Sequence, residues 1–223
     1  MKINSLALLA AAVVACRPAA VPASEEPRHH LVYSNDIVHV MDIRVPAGDT
    51  TLWHTHAYPL AVVHLRNARD WDQALGRDPD PVAGADPVPS LSVNWDRPQP
   101  YTHRVGNVDT VGFHYVAAEW LKSSGVKCDS MPDTPARKLV NAGPSAIIYE
   151  LTLAPHSSMA AHTHACPGLV VQATAGTLLT DGPPAVATGG SGEGGWYWHA
   201  PGLHHTIRND GPTRMIVYEL DWR

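Results

Sequence analysis

A chain of 223 residues can hold one large β domain or two domains of about 100 residues each. A formal net charge of −5 removes the electrostatic reason to expect a nucleic-acid partner, and a hydrophobic content of 44% suits a packed globular protein. One Phe against 20 Pro and 17 Gly points to short strands and many turns.

Lys2 and the apolar run Leu6 to Ala15 read as a secretory signal, too short to span a bilayer as a mature helix. The run ends in Val13-Val14-Ala15-Cys16, which resembles the bacterial lipoprotein cleavage box. In that pattern the cysteine is lipidated and becomes the mature N-terminus. The alternative is ordinary cleavage after Val21-Pro22-Ala23, which discards Cys16. Lipidation is the favoured reading, because small-residue cleavage sites are loosely specified. Either route puts the protein outside the cytoplasm, as a periplasmic, outer-envelope-anchored or secreted protein. Membrane association would come only through a lipid at Cys16. Residues 1–16 are thus the leader, and residues 17–35 a polar, Pro-rich tether.

His54-Thr55-His56-Ala57 recurs 108 residues later as His162-Thr163-His164-Ala165. Two histidines at i and i+2 on a strand project to one face, so each copy aims two imidazoles at one point. The strands before them also match: Val40 with Ile148, Asp42 with Glu150, Ile43 with Leu151 and Val45 with Leu153. After the first copy, Leu60–Leu65 reads as a strand opened by Pro59. Residues 69–100 read as a long acidic surface loop with one short strand near Leu91–Trp95, and the acidic stretch 70–87 within it reads as a solvated loop, with a lid over the first site as the alternative. The strand Gly112–Trp120 closes the first half, and residues 121–144 form a connection. The second half repeats this order more compactly and ends in the strand Met215–Trp222. The two closing strands end alike, in Ala118-Glu119-Trp120 and Leu220-Asp221-Trp222. A duplicated all-β unit, over residues 36–120 and 145–223, is the organisation this implies.

At this point the residues resemble the cupin superfamily. Gly48, five residues, then His54-Thr55-His56 fits the start of its first motif; His162, His164 and Gly176 fit in the second half. Gly195, five residues, Pro201, then His205 and Asn209 fit the second motif, and His103 and Asn107 repeat its histidine and asparagine in the first half. The resemblance covers nearly the whole mature chain and implies a bicupin: two tandem double-stranded β-helix (jelly-roll) barrels. It implies one metal site at His54, His56 and His103 and another at His162, His164 and His205. The metal would be a divalent transition metal, Fe, Zn, Mn, Ni or Cu, acting as Lewis acid or oxygen activator on a small organic substrate. Cupins often dimerise through their sheets, so the resemblance also implies a homodimer.

Two departures matter. The motif glutamate is missing in both halves, with Leu60 or Ala61 in its place in the first and Gly168 or Leu169 in the second. Sites with four protein ligands are therefore not expected, and hard cations such as manganese are disfavoured. Cys166 and Tyr58 stand two residues beyond each second histidine, where strand parity turns them toward the metal unless Pro167 and Pro59 break it. Cys166 is then a fourth ligand, a reactive thiol or simply a buried side chain. Pairing with Cys128 is not expected, since one cysteine lies in the connection and the other beside the motif. His204 should face outward, Trp53, Trp196 and Trp198 should pack, and His64 and Gln172 either face the pocket or line an exposed strand face. No general base is assigned. A metal-dependent dioxygenase-like or isomerase-like enzyme leads, and a non-catalytic ligand- or metal-binding envelope protein is the rival.

Overall fold

The computed structural model describes residues 19–182 and 185–223; the leader and Cys16 lie outside them. Among the described residues no helix is long and apolar enough to cross a membrane, and apart from one 3-10 turn at Ala23–Glu25 the regular structure is all strand. The first half runs β1 (Val21–Pro22), β2 (His29–Ser34), β3 (Val38–Val45), β4 (His54–His56), β5 (Leu60–Arg66), β6 (Asp70–Ala74), β7 (Ser90–Val93), β8 (Tyr101–Asn107) and β9 (Phe113–Trp120). The second runs β10 (Arg137–Ala142), β11 (Ala146–Leu153), β12 (Ser157–Ser158), β13 (His162–His164), β14 (Gly168–Gln172), β15 (Leu178–Asp181), β16 (Ala187–Gly189), β17 (Trp196–His199), β18 (Leu203–Asn209) and β19 (Met215–Trp222).

Each half closes a larger sheet over a smaller one. The larger sheets have the orders β2-β3-β9-β5-β7 and β10-β11-β19-β14-β17-β16. The smaller ones are β1-β4-β8-β6, and β12-β18-β13 with β15 also paired to β18. The HxH strand lies in the smaller sheet both times, in the same register: His54 opposite His103, and His162 opposite His205. The expected all-β pair of tandem barrels is what the chain forms.

Side-chain parity explains why the central strands read as almost unbroken apolar runs. In β3 and β11, Met41, Ile43, Leu151 and Leu153 fill the two barrel interiors, while Val38, Val40, Ala146 and Ile148 belong to one core shared by both halves. The larger sheets thus pack back to back through Val63, Ala118, Trp196, Trp198, Tyr218 and Trp222. Every residue of β19 is buried, because both its faces are covered. Trp196 and Trp198 are interface packing, as expected, and Tyr33 lies across from them at ring-centroid distances of 5.9 and 5.8 Å.

Four expectations are corrected. Residues 17–35 are no tether where they are described: β1 pairs parallel with β4, β2 pairs with β3, and Ala23, Glu26 and His29 are buried. The stretch 121–144 likewise contributes β10, which pairs with β11. Within 69–100, β6 is a second strand paired along β8, and the Tyr101 hydroxyl donates to Asp72 beside it. Cys128 and Cys166 form a disulfide with Cα atoms 5.7 Å apart; the fold brings the connection against the start of β14, a proximity no spacing reveals. Cys166 is therefore neither a ligand nor a free thiol. Tyr58, at the matching position, is exposed.

Candidate metal centre and cavity

In the second half β13 delivers His162 and His164, β18 delivers His205, and β19 adds a residue the sequence reading did not include, Glu219. The Nε2 atoms of the three histidines lie 3.0 Å apart in each pair. Glu219 Oε1 lies 3.2, 3.4 and 3.3 Å from those of His162, His164 and His205. The four donor atoms converge on one point, close enough together for a single divalent cation to be held among them.

The protons are placed to leave those atoms free. His164 Nδ1–H donates to Asp221 Oδ1 at 2.7 Å and His162 Nδ1–H to the Ala160 carbonyl at 3.3 Å, both acceptor-only partners. His205 Nδ1 is bracketed by the Thr180 and Tyr197 hydroxyls, each at 3.2 Å. Three converging lone pairs and a fully buried carboxylate have no stable arrangement without a cation between them. Burial opposes charge on Glu219, but the three surrounding histidines outweigh it and hold its pKa well below the usual carboxylate range. Burial likewise opposes charge on His164, yet Asp221 and Glu219 together push it up to about 10. The residues fit a divalent cation at this point.

The place of the absent motif glutamate is physically filled. A Cβ added at Gly168 would fall 2.5 Å from His199 Nε2 and 2.7 Å from the Leu220 carbonyl. The carboxylate enters instead from β19, two pairs along the ladder, where Val170 faces Glu219. The expectation that four-ligand sites are unlikely is thus corrected for this half. Only the acidic character of Glu219 within the otherwise apolar Met215–Leu220 signalled it.

The first half has the same frame and a different centre. His54, His56 and His103 have ring centroids 4.4 to 5.3 Å apart. His56 Nδ1–H donates to Glu119 at 2.8 Å, the counterpart of the His164–Asp221 bond, and His103 Nδ1–H donates to Asp72 at 2.7 Å. His54 Nδ1–H donates to the Leu52 carbonyl at 2.9 Å. The position matching Glu219 is Ala117, since Val62 faces Ala117 as Val170 faces Glu219. Burial and the neighbouring imidazoles lower His54 and His56 to about 3, so these rings are neutral. His29, from the presumed tether, joins them: its ring lies 4.4 Å from that of His54.

A cavity of about 320 Å³ opens on these histidines, and Arg97, His64, Asp70 and Tyr115 also line it. His64 is thus a pocket residue. Gln172, its counterpart, is buried and donates to the Thr174 and Gly176 carbonyls, holding a turn. His204 is exposed, as expected. Asn107 and Asn209 line neither cluster; each donates to carbonyls at the turn into the closing strand, Val111 and Thr213 respectively.

No protein-family model matches the chain, and no curated protein matches it in sequence. Solved structures do match. AerE from Microcystis aeruginosa superposes with a TM-score of 0.59 at 10% identity, over 89% of this chain and 98% of its own. A cupin 2 conserved barrel domain protein from Leptotrichia buccalis gives 0.51 at 9%, over 85% and 86%. The fold is that of a bicupin. A salicylate 1,2-dioxygenase from Pseudaminobacter salicylatoxidans shares this bicupin fold with a TM-score of 0.55 at 9% identity, over 85% and 72%, and has also been solved with gentisate.

Proposed function

We propose that this bicupin is a metal-binding, dioxygenase-like enzyme that acts on a small organic acid outside the cytoplasm. The converging set His162, His164, His205 and Glu219 carries the metal part of this reading. Three imidazoles and a carboxylate are a donor set that would hold a divalent transition metal. The cavity in the first barrel carries the substrate part. There a transition metal held among His54, His56 and His103 would supply Lewis-acid or oxygen chemistry.

The chain's own groups do the rest. The Arg97 guanidinium lies 4.1 Å from the Tyr101 ring centroid and, among the described residues, is in no ion pair, leaving it free to seat a carboxylate. Phe113 and Tyr115, stacked at 4.6 Å, form an apolar wall for a flat ring. Burial and the neighbouring Asp72 and Asp86 raise the pKa of Asp70, so it keeps a proton at the cavity wall into a higher pH range than an ordinary aspartate. The acids named for the salicylate dioxygenase support this substrate class, and the disulfide supports an oxidising compartment.

The test is metal analysis of protein purified from its native compartment, followed by thermal-shift and oxygen-uptake screens with aromatic acids and their amides. Stoichiometric metal and binding of acids over amides, lost in Arg97→Ala, are expected. Protein without metal would overturn the enzyme reading. Metal with no turnover would leave the envelope binding protein, a reading favoured by the closed donor set of the second barrel.

A further inference from the structure

We propose that the first barrel holds a second metal centre completed by His29, an imidazole delivered by the N-terminal segment. This rests on the metal reading above and changes which residues make the centre. The donor atoms of His29, His54 and His56 all lie within 4.8 Å of one another. His29 is 5% exposed and His54 0%, yet His29 Nδ1 and His54 Nε2 have no hydrogen-bond partner. Buried ring nitrogens without partners are rare, and two of them on rings 4.4 Å apart are satisfied together by a shared cation. The Nδ1 atoms of His54 and His56 are committed to the Leu52 carbonyl and Glu119, which leaves each Nε2 as the free donor.

The segment is fastened so as to fix that geometry. Buried Glu26 accepts backbone N–H groups from both sides of the site, Arg28 at 2.6 Å and Leu52 at 3.0 Å. Residue 28 precedes His29 and residue 52 lies just before His54, so one carboxylate sets the spacing of two ligands. Arg28 also forks onto Asp49, and the Val21 N–H donates to the Trp53 carbonyl at 3.0 Å.

The arrangement is not a copied part of the repeat. His29 faces Ile43 as Arg137 faces Leu151 in the second barrel, and Arg137 there donates to the Pro132 carbonyl. The two barrels therefore add to the HxH pair from different strands: the first from its edge strand β2, the second from β19. Without a carboxylate ligand, the all-nitrogen set favours Zn, Cu, Ni or Fe(II) over hard cations. It also gives the bound ion no anionic ligand from the protein, so an anion from the cavity is favoured. His103, whose buried Nε2 is likewise unpartnered, stands beside that position.

The experiment is equilibrium titration of the chelator-treated full chain with Zn²⁺, and with Co²⁺ as a spectroscopic probe. Two equivalents are expected. His29→Ala, and His29→Asn as a variant that keeps a polar side chain, should each weaken one site more than about 100-fold, beyond the 10–100-fold loss caused by outer partners. Both should keep the Glu219-dependent equivalent and a native near-UV circular dichroism spectrum. Two undiminished equivalents in a folded His29 variant would overturn the role of His29 while leaving a metal-binding bicupin. A single wild-type equivalent, abolished by Glu219→Ala, would overturn the first-barrel centre alone. No binding at all would overturn the metal reading itself.

Discussion

The two barrels share a frame down to single hydrogen bonds and differ in what they place at its centre. Glu119 and Asp221 hold the second HxH histidine in the same way, yet the residue two positions earlier is Ala117 in one barrel and Glu219 in the other. In the second barrel the carboxylate draws three imidazoles into a tight cluster. In the first barrel its absence leaves neutral rings bordering a cavity of about 320 Å³. One methylene and a carboxylate separate the two centres. A duplicated fold can thus carry different side chains at the same point of its two copies.

Removing Glu219 is the most direct way to break this contrast. Glu219→Ala should release the second-barrel metal and cost about 3–5 kcal/mol, the usual loss when one partner leaves a buried charged cluster. Urea unfolding with metal analysis reads both, and wild-type values for both would show that the cluster is not a metal centre. Next in size is the disulfide, which only the second barrel has. It closes a separation of 38 residues, so the double variant Cys128→Ser, Cys166→Ser should lose about 2–4 kcal/mol. First-barrel ligand binding should persist, and its loss would mean the barrels are less independent than their sites suggest.

The smallest effect separates the barrels by pH in the metal-free protein. Burial lowers His54 and His56 from 6.5 to about 3, so the unfolded chain takes up their protons first and stability falls as pH drops through that window. Between pH 7 and 5.5 the loss should be about 1 kcal/mol per histidine. His164 runs the other way: raised to about 10, it stabilises fully below 6.5 and loses that effect as pH rises through 10. Unfolding curves of His54→Gln and His164→Gln across pH would show opposite trends, and parallel curves would remove the electrostatic half of the comparison.

Much of this was legible from residues. The HxH repeat, the matched β-branched runs and the paired closing strands place both barrels and six histidines, because strand parity and register follow from alternation. What stayed hidden lies in contacts between distant segments. His29 sits in a stretch with no period, and its burial depends on Glu26 reaching Leu52. The Cys128–Cys166 bond depends on where a connection lies across a barrel. Glu219 did leave a trace: a charge in a strand buried on both faces needs a partner, and the histidines opposite are the partners available.

The shared core between the larger sheets has a consequence for assembly. Each barrel alone would expose a broad face of Val, Ile, Trp and Tyr, a surface that requires a partner. The connection between the halves makes that partnership intramolecular, replacing protein concentration by the far higher effective concentration of a tether. The chain is in this sense already paired with itself. A further copy would have to join through some other surface, and neither half cut free of its sister should remain soluble as a monomer.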